Sequence, residues 1–258
     1  MRKSINVGIL FAISTLLLTS CNLPLREAFQ LQTPTLTANN DIILSTPTPP
    51  PDYCENVYQP STDGDSWIYA GNNTSTGNYT RKNTISRSHE TSFTIKSDVE
   101  GIISTYDYSC TDSGLVAVNP IQQYLGTLLA IPGNQVEVKL NSASGITLPM
   151  AINPGDSWRQ EAVWEATAQD ISTSGRSVLD YTAIGYEKIS VPFGTFDALR
   201  VNATISLEVS PLRISAGSYT TTSWLVPGIG LVKSEGTSHI RGVSFSDHTE
   251  LTGFTPAE

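Results

Sequence analysis

The first thiol in this chain of 258 residues belongs to Cys21. A thiol can carry a lipid, close a disulfide or bind a metal, and the surrounding sequence decides among these fates. Cys21 follows a positive N-terminus, Met1–Lys3, and an apolar run, Val7–Leu18, that is too short to span a bilayer. This order of segments predicts an export signal peptide over residues 1–20.

The stretch Leu18-Thr19-Ser20-Cys21 resembles the lipobox, Leu-x-[small]-Cys, which ends the signal peptide of bacterial lipoproteins. The resemblance implies that Cys21 receives a diacylglyceryl thioether, is cleaved from Ser20 and often gains an N-linked acyl chain such as palmitate. Two or three acyl chains hold a protein on a membrane stably, whereas one does not. We therefore expect a lipid anchor on the extracytoplasmic face of the cell envelope. The alternative is an ordinary secretory signal with a chance cysteine.

The other two cysteines, Cys54 and Cys110, form an even pair in a domain that is expected to be exported. Such a pair predicts one disulfide. In the chain-entropy model, a loop of this length contributes on the order of 4 kcal/mol to stability. Two free thiols are the alternative. A metal site is disfavoured because no histidine lies at ligand spacing from either cysteine.

Ser66 and Ser157 each follow Gly-Asp, and this block resembles the nucleophile block of GDS-type esterases. That chemistry needs an oxyanion hole and a partner histidine, usually in Asp-x-x-His. The chain contains no Asp-x-x-His, and a turn followed by a strand explains both copies of the block. We therefore predict that the protein is not an enzyme, and an esterase is the weakest of the alternatives.

Three histidines, His89, His239 and His248, are the only ones in the chain, and none lies in a ligand motif. Asp63-Gly64-Asp65 could begin a calcium loop, but the later ligands are missing. The sequence therefore predicts neither a metal nor another cofactor.

Composition excludes some partners. Cleavage after Ser20 removes Arg2 and Lys3, so the formal net charge changes from −9 to −11 in the mature chain. An acidic surface argues against binding to nucleic acid.

Residues 21–52 contain six prolines among Thr, Asn and Leu, which predicts a disordered tether with a reach of roughly 30 Å as a flexible coil. The folded part is expected to begin at Tyr53.

Apolar and polar residues alternate with period two from Leu199 to Val209, and shorter stretches such as Val136–Leu140 do the same. This pattern predicts antiparallel strands with one buried face. The segment Pro120–Ile131 is compatible with a short helix or an apolar strand. We predict an all-β fold of antiparallel meander sheets, arranged as a curved half-barrel or a sandwich.

Two short motifs recur in the same order. Gly64-Asp65-Ser66-Trp67 returns as Gly155-Asp156-Ser157-Trp158, and Gly114-Leu115-Val116 returns as Gly230-Leu231-Val232. The recurrence predicts two diverged β-meanders, over residues 53–148 and 149–258, with an extra hairpin in the second because its motifs lie farther apart. Chance recurrence in a chain rich in turns is the alternative.

The segments Gly185–Val201 and Trp224–Lys233 resemble the TapB-like domains, a group of exported bacterial β-domains of unknown function. The resemblance implies a curved antiparallel sheet and supplies no catalytic residues. More distantly, the implied sheet is similar to that of the LolA/LolB lipoprotein carriers, a likeness of fold alone.

We therefore expect a lipid-anchored envelope protein that acts as a binding or structural module. The alternative is a carrier or sensor of a lipophilic molecule, with Trp158, Trp164 and Trp224 lining a curved face. A large apolar cavity would support the carrier, whereas a filled core would exclude it. The protein or lipophilic partner itself is not predicted by the sequence.

Overall fold

The computed structural model describes residues 52–120, 136–168, 171–210, 214–240 and 243–257. All regular structure in these ranges is β-strand, and none of it is a helix that could cross a membrane. Cys21, the predicted tether up to residue 51 and most of the ambiguous segment after Pro120 lie outside the described residues. Asp52, the last residue of the predicted tether, pairs with Arg87 at 2.6 Å. The strands are β1 (Ser66–Asn73), β2 (Gly77–His89), β3 (Ser92–Val99), β4 (Ile102–Thr111), β5 (Gly114–Ala117), β6 (Val136–Gly145), β7 (Leu148–Pro149), β8 (Ser157–Ala168), β9 (Ile171–Val191), β10 (Gly194–Val209), β11 (Ile214–Val226), β12 (Gly230–Ile240) and β13 (Val243–Thr255).

The thirteen strands form one unclosed, curved antiparallel sheet in the order β6-β8-β9-β10-β11-β12-β13-β1-β2-β3-β4-β5-β7. The all-β prediction is therefore confirmed, as a single curved sheet and not a sandwich. The strands β1 to β5 form one meander and β8 to β13 form another. Because β13 pairs with β1, both meanders belong to the same sheet. The exact boundary between them stays a prediction.

The alternation in β10 defines two faces of the sheet. Val201, Ala203 and Ile205 are buried on what we call the core face. Asn202 and Thr204 lie between them on what we call the open face, where they are half-buried and exposed respectively. Directly paired residues of antiparallel strands point to the same face of the sheet. The strand register therefore shows which residues of the other strands lie on the core face and which lie on the open face.

Three hydrophobic clusters form the core. One contains Trp67 and Ile85 from the first meander together with Trp224 from the second. Another surrounds Trp164 on β8, and the last contains Leu199 on β10. Burial of apolar area on this scale is the main stabilising contribution to a sheet that has no second layer of helices in its described part.

The turns before β1 and β8 have the same hydrogen-bond pattern. Asp65 Oδ2 accepts the N–H of Thr62 at 2.9 Å, and Asp156 Oδ2 accepts the N–H of Asn153 at 2.7 Å. The preceding glycines have φ angles of 95° and 94°, a left-handed conformation that favours glycine. The repeat detected in the sequence therefore corresponds to a repeated turn at the start of each meander.

The second Gly-Leu-Val motif begins β12 as the first begins β5, and each follows four strands of its own meander. The expected extra hairpin is therefore wrong. The additional residues lengthen the strands, since β9 and β10 have 21 and 16 residues whereas β2 and β3 have 13 and 8. Longer paired strands bury more area without adding a turn.

Two links fix the ends of the described fold. Cys54 and Cys110 form the disulfide expected from the sequence, with Cα atoms 5.0 Å apart, and both residues are buried.

Between β6 and β7, the N–H of Ile146 donates to Arg159 O at 3.1 Å and the N–H of Thr147 donates to Leu115 O at 2.9 Å. This short segment therefore contacts β8 on one side and β5 on the other.

Candidate functional site

A groove of about 580 Å³ lies on the open face of β10, β11, β12, β13 and β1, and we call it the polar groove. One row of directly paired residues crosses it from strand to strand. The row consists of Asn202, Thr222, Glu235, His248 and Asn72. Each of these side chains can accept or donate a hydrogen bond, so the row is a continuous polar surface.

A second row crosses four of the same strands and consists of Thr204, Thr220, Thr237 and Ser246. It carries a hydroxyl group at every position. Ala203 has the only apolar side chain among the residues that line the groove, and it belongs to the core face. The groove therefore offers hydrogen bonds together with the methyl groups of its threonines, and no large apolar side chain lines it.

Below the groove, on the core face, Tyr79 supports β13. Its hydroxyl donates to Asp247 Oδ1 at 2.9 Å and lies 3.0 Å from Thr249 Oγ1. Burial raises the pKa of Tyr79, so its phenol stays protonated as the donor of this bond. The carboxylate of Asp247 is thus engaged on the core face, and the acidic side chain that faces the groove is that of Glu235.

A cluster of alternating charges lies at one end of the polar groove. Lys233 Nζ lies 2.8 Å from Glu235 Oε1 and 4.0 Å from Glu250 Oε1. The two ring nitrogens of His248 lie 3.6 Å and 3.2 Å from the same two carboxylates. Each carboxylate therefore has a cationic partner, which reduces the negative potential of the groove.

Trp224 lies beyond this cluster and outside the lining of the groove. Its indole Nε1 donates to Glu187 Oε1, and Lys233 Nζ lies 5.0 Å from its ring centroid. Glu187 also pairs with Arg200 at 3.5 Å. Because Trp224 is only 7% exposed, its ring is engaged by the protein itself.

The three tryptophans singled out from the sequence lie in three different clusters. Trp164 is buried and donates to Ser177 Oγ at 2.8 Å. Trp158 stacks on Tyr181 with centroids 5.3 Å apart and donates to Thr147 O. The structure does not bring these three rings together, and a ligand role for each stays a prediction.

The serines of the Gly-Asp-Ser blocks begin β1 and β8. Ser157 Oγ lies 3.2 Å from Thr182 Oγ1, and no hydrogen bond in the described ranges joins Ser66 or Ser157 to a histidine. His239 Nδ1 lies 2.8 Å from Ser244 Oγ on the exposed end of the β12–β13 hairpin. Within the same ranges, no group of three or more His, Cys, Asp or Glu side chains could hold a metal ion.

The sequence did not predict the polar groove as a site. The alternation from Leu199 to Val209 nevertheless placed Asn202 and Thr204 on the solvent-facing side of a strand. The run Thr220-Thr221-Thr222 was the other available signal, since consecutive threonines put a hydroxyl on both faces. Neither signal shows which strands are neighbours, and the groove depends on the pairing of β10 to β13 and of β13 with β1.

The fold and the groove together define a class of protein: a single curved antiparallel sheet with a polar open face. Residues 72–241 match the model of the DUF3108-like family, and the chain belongs to that family. The family is one of unknown function, in agreement with the expected exported β-domain of unknown function. The closer likeness to the TapB-like domains stays a prediction.

Three solved structures are similar in fold. A candidate lipoprotein of Parabacteroides distasonis is 16% identical, with a TM-score of 0.50, and the match covers 78% of this chain and 99% of that one. A candidate exported protein of Bacteroides fragilis with a YmcC-like fold is 11% identical, with a TM-score of 0.47 and coverage of 78% and 100%. The hypothetical lipoprotein YmcC of Escherichia coli is 10% identical, with a TM-score of 0.35 and coverage of 76% and 87%. A comparison with curated protein sequences finds no match.

Proposed function

We propose that this protein is a lipid-anchored module of the cell envelope that binds a polar partner and catalyses no reaction. The polar groove is the observation that carries the proposal. It presents two rows of hydrogen-bonding side chains on a rigid sheet. The fixed strand register holds these groups in place, which lowers the entropy cost of binding.

Several features support the lipid anchor. The lipobox at Cys21 follows a signal sequence of ordinary length, and the proline-rich stretch after it provides a tether. The Cys54–Cys110 disulfide suits an oxidising compartment outside the cytoplasm. The similar protein of Parabacteroides distasonis is described as a candidate lipoprotein, which agrees with this placement.

The polarity of the groove favours a polar partner over a lipophilic one. A carrier of lipid needs an apolar cavity that shields most of its cargo. A second cavity, beside Tyr106 and Tyr181, measures about 30 Å³, which is too small for an acyl chain. The binding module therefore accounts for the described cavities better than the carrier does.

Fractionation of cells that express the wild-type chain and Cys21→Ser tests the anchor. We expect wild type in the membrane fraction, and Cys21→Ser either soluble or retained with an uncleaved signal. Asn22→Gln is the matched control, because it changes the neighbouring residue and keeps the thiol. A Cys21→Ser protein that matures normally and stays with the membrane would overturn the proposal.

A further inference from the structure

We propose that the polar groove binds a neutral oligosaccharide. This inference rests on the proposed function, because it names the partner class of the same groove. It combines three observations: the arrangement of hydroxyl and amide groups, the hydroxyls that the fold leaves unused, and the balance of charge at the end of the groove.

The groove matches a chain of sugar rings in length and in chemistry. Neighbouring strands lie about 4.8 Å apart, so the five strands of the groove span roughly 20 Å. The two rows supply hydroxyl groups, two amides, a carboxylate and an imidazole over this distance. A saccharide presents hydroxyls that both donate and accept, and such groups are best met by side chains that do the same.

The second row carries hydroxyls that the fold does not use. Within the described ranges, the side chains of Thr204, Thr220, Thr237 and Ser246 make no hydrogen bond to the protein, so they are available to a ligand. In the first row, Thr222 Oγ1 donates to Asn202 Oδ1 at 3.2 Å. That bond leaves the amide donors of Asn202 free toward the groove and fixes its orientation.

The charges favour a neutral ligand over an ion. Glu187, Glu235 and Glu250 would repel an anion such as a phosphate. Lys233 and Arg200 pair with these three carboxylates and offset part of their negative charge, which weakens the attraction for a polycation. The groove offers a lipophilic molecule only threonine methyl groups and Ala203 as apolar contacts, and no large apolar side chain lines it. A neutral polyhydroxylated chain is not repelled by the carboxylates and does not depend on an apolar surface.

The test uses the full protein purified from membranes in detergent, applied to an array of immobilised neutral oligosaccharides that includes maltotriose and chitotriose. Spermine, inorganic phosphate and palmitic acid serve as the cationic, anionic and lipophilic probes in solution. The variant Thr220→Val/Thr222→Val removes two groove hydroxyls and keeps side-chain shape and strand propensity. Thr105→Val makes the same change on an exposed position of β4, which is outside the groove.

We expect the wild-type protein to retain at least one neutral oligosaccharide. Thr220→Val/Thr222→Val should bind it at least about tenfold more weakly, since each lost hydrogen bond contributes about 1 kcal/mol. Thr105→Val should bind as wild type does. Retention of no oligosaccharide, equal retention by the groove variant, or binding of only an ionic or lipophilic probe would each overturn the inference. Because fractionation of Cys21→Ser reports on the anchor alone, failure here is distinguishable from failure of the proposed function.

Discussion

The side-chain amide of Gln160 donates from Nε2 to the carbonyl of Ala117 at 3.1 Å, although the two residues lie near opposite ends of the sheet order. Gln160 Oε1 accepts from Thr147 Oγ1 at 2.7 Å, and Thr147 Oγ1 accepts the N–H of Ala117 at 2.7 Å. Gln160 is fully buried. Three residues therefore close a ring of hydrogen bonds between β8, β5 and the segment before β7.

Replacing this glutamine by an apolar residue of similar size tests the ring. We expect Gln160→Leu to lower the free energy of unfolding by about 2–4 kcal/mol, because it leaves the Ala117 carbonyl and the Thr147 hydroxyl buried without their partner. Chemical denaturation followed by circular dichroism measures this change. In a double-mutant cycle with Thr147→Val, the two effects should be less than additive, since both variants break the same ring. Additive effects would show that the groups act independently.

The repeated turns provide a matched pair of variants. Asp65 is 2% exposed and accepts two backbone N–H groups, from Thr62 and from Ala257. Asp156 makes the equivalent turn contact to Asn153 but is exposed to solvent. We expect Asp65→Ala to destabilise the fold by about 2–4 kcal/mol and Asp156→Ala by about 1 kcal/mol, because only Asp65 is buried and accepts two backbone N–H groups. Thermal and denaturant unfolding would check the ranking, and equal losses would contradict it.

Buried phenols make the domain sensitive to alkali. Burial raises the pKa of Tyr108 from 10.0 to about 12, and it also raises the pKa values of Tyr69 and Tyr181. Their contribution to stability is complete below the unfolded pKa of 10.0 and is lost as the pH rises toward the folded values. We expect the free energy of unfolding to fall above pH 10, with the part of the tyrosinate absorbance that belongs to the buried phenols appearing only on unfolding.

The variant Tyr108→Phe isolates one of these phenols. Its loss of stability between neutral and strongly alkaline pH should be smaller than that of wild type, because one proton fewer is released on unfolding. An identical pH dependence for the two proteins would show that Tyr108 does not contribute. Ionisation of all ten tyrosines well before unfolding would contradict the assignment of burial as the cause.

Local patterns in the sequence were enough to predict the strands. The alternation around Val201 and Ile205 predicted both the strand and its buried face, because side-chain direction has a period of two along any strand. The Gly-Asp-Ser-Trp motif predicted a turn that the structure shows twice. The disulfide followed from the presence of two cysteines, Cys54 and Cys110, in a domain that the sequence predicts to be exported. Each of these inferences depends only on residues that are close in sequence or, for the disulfide, on the number of cysteines.

Pairing between distant strands could not be predicted in the same way. Alternation shows which face of a strand is buried, but not which strand lies beside it. The pairing of β13 with β1 brings His248 next to Asn72, and no local signal indicates that contact. The same holds for Gln160, a fully buried polar residue of β8 whose hydrogen-bond partners lie far away in the sequence. The groove and the ring of hydrogen bonds both depend on such long-range contacts.

Intact-mass spectrometry of the protein purified from its own membrane tests the placement in the envelope most directly. We predict a chain that begins at Cys21 and carries the added mass of two or three acyl chains, with the Cys54–Cys110 disulfide intact. A chain that begins at another residue, or one whose Cys21 carries no added mass, would contradict the lipid-anchored placement on which the proposed function depends.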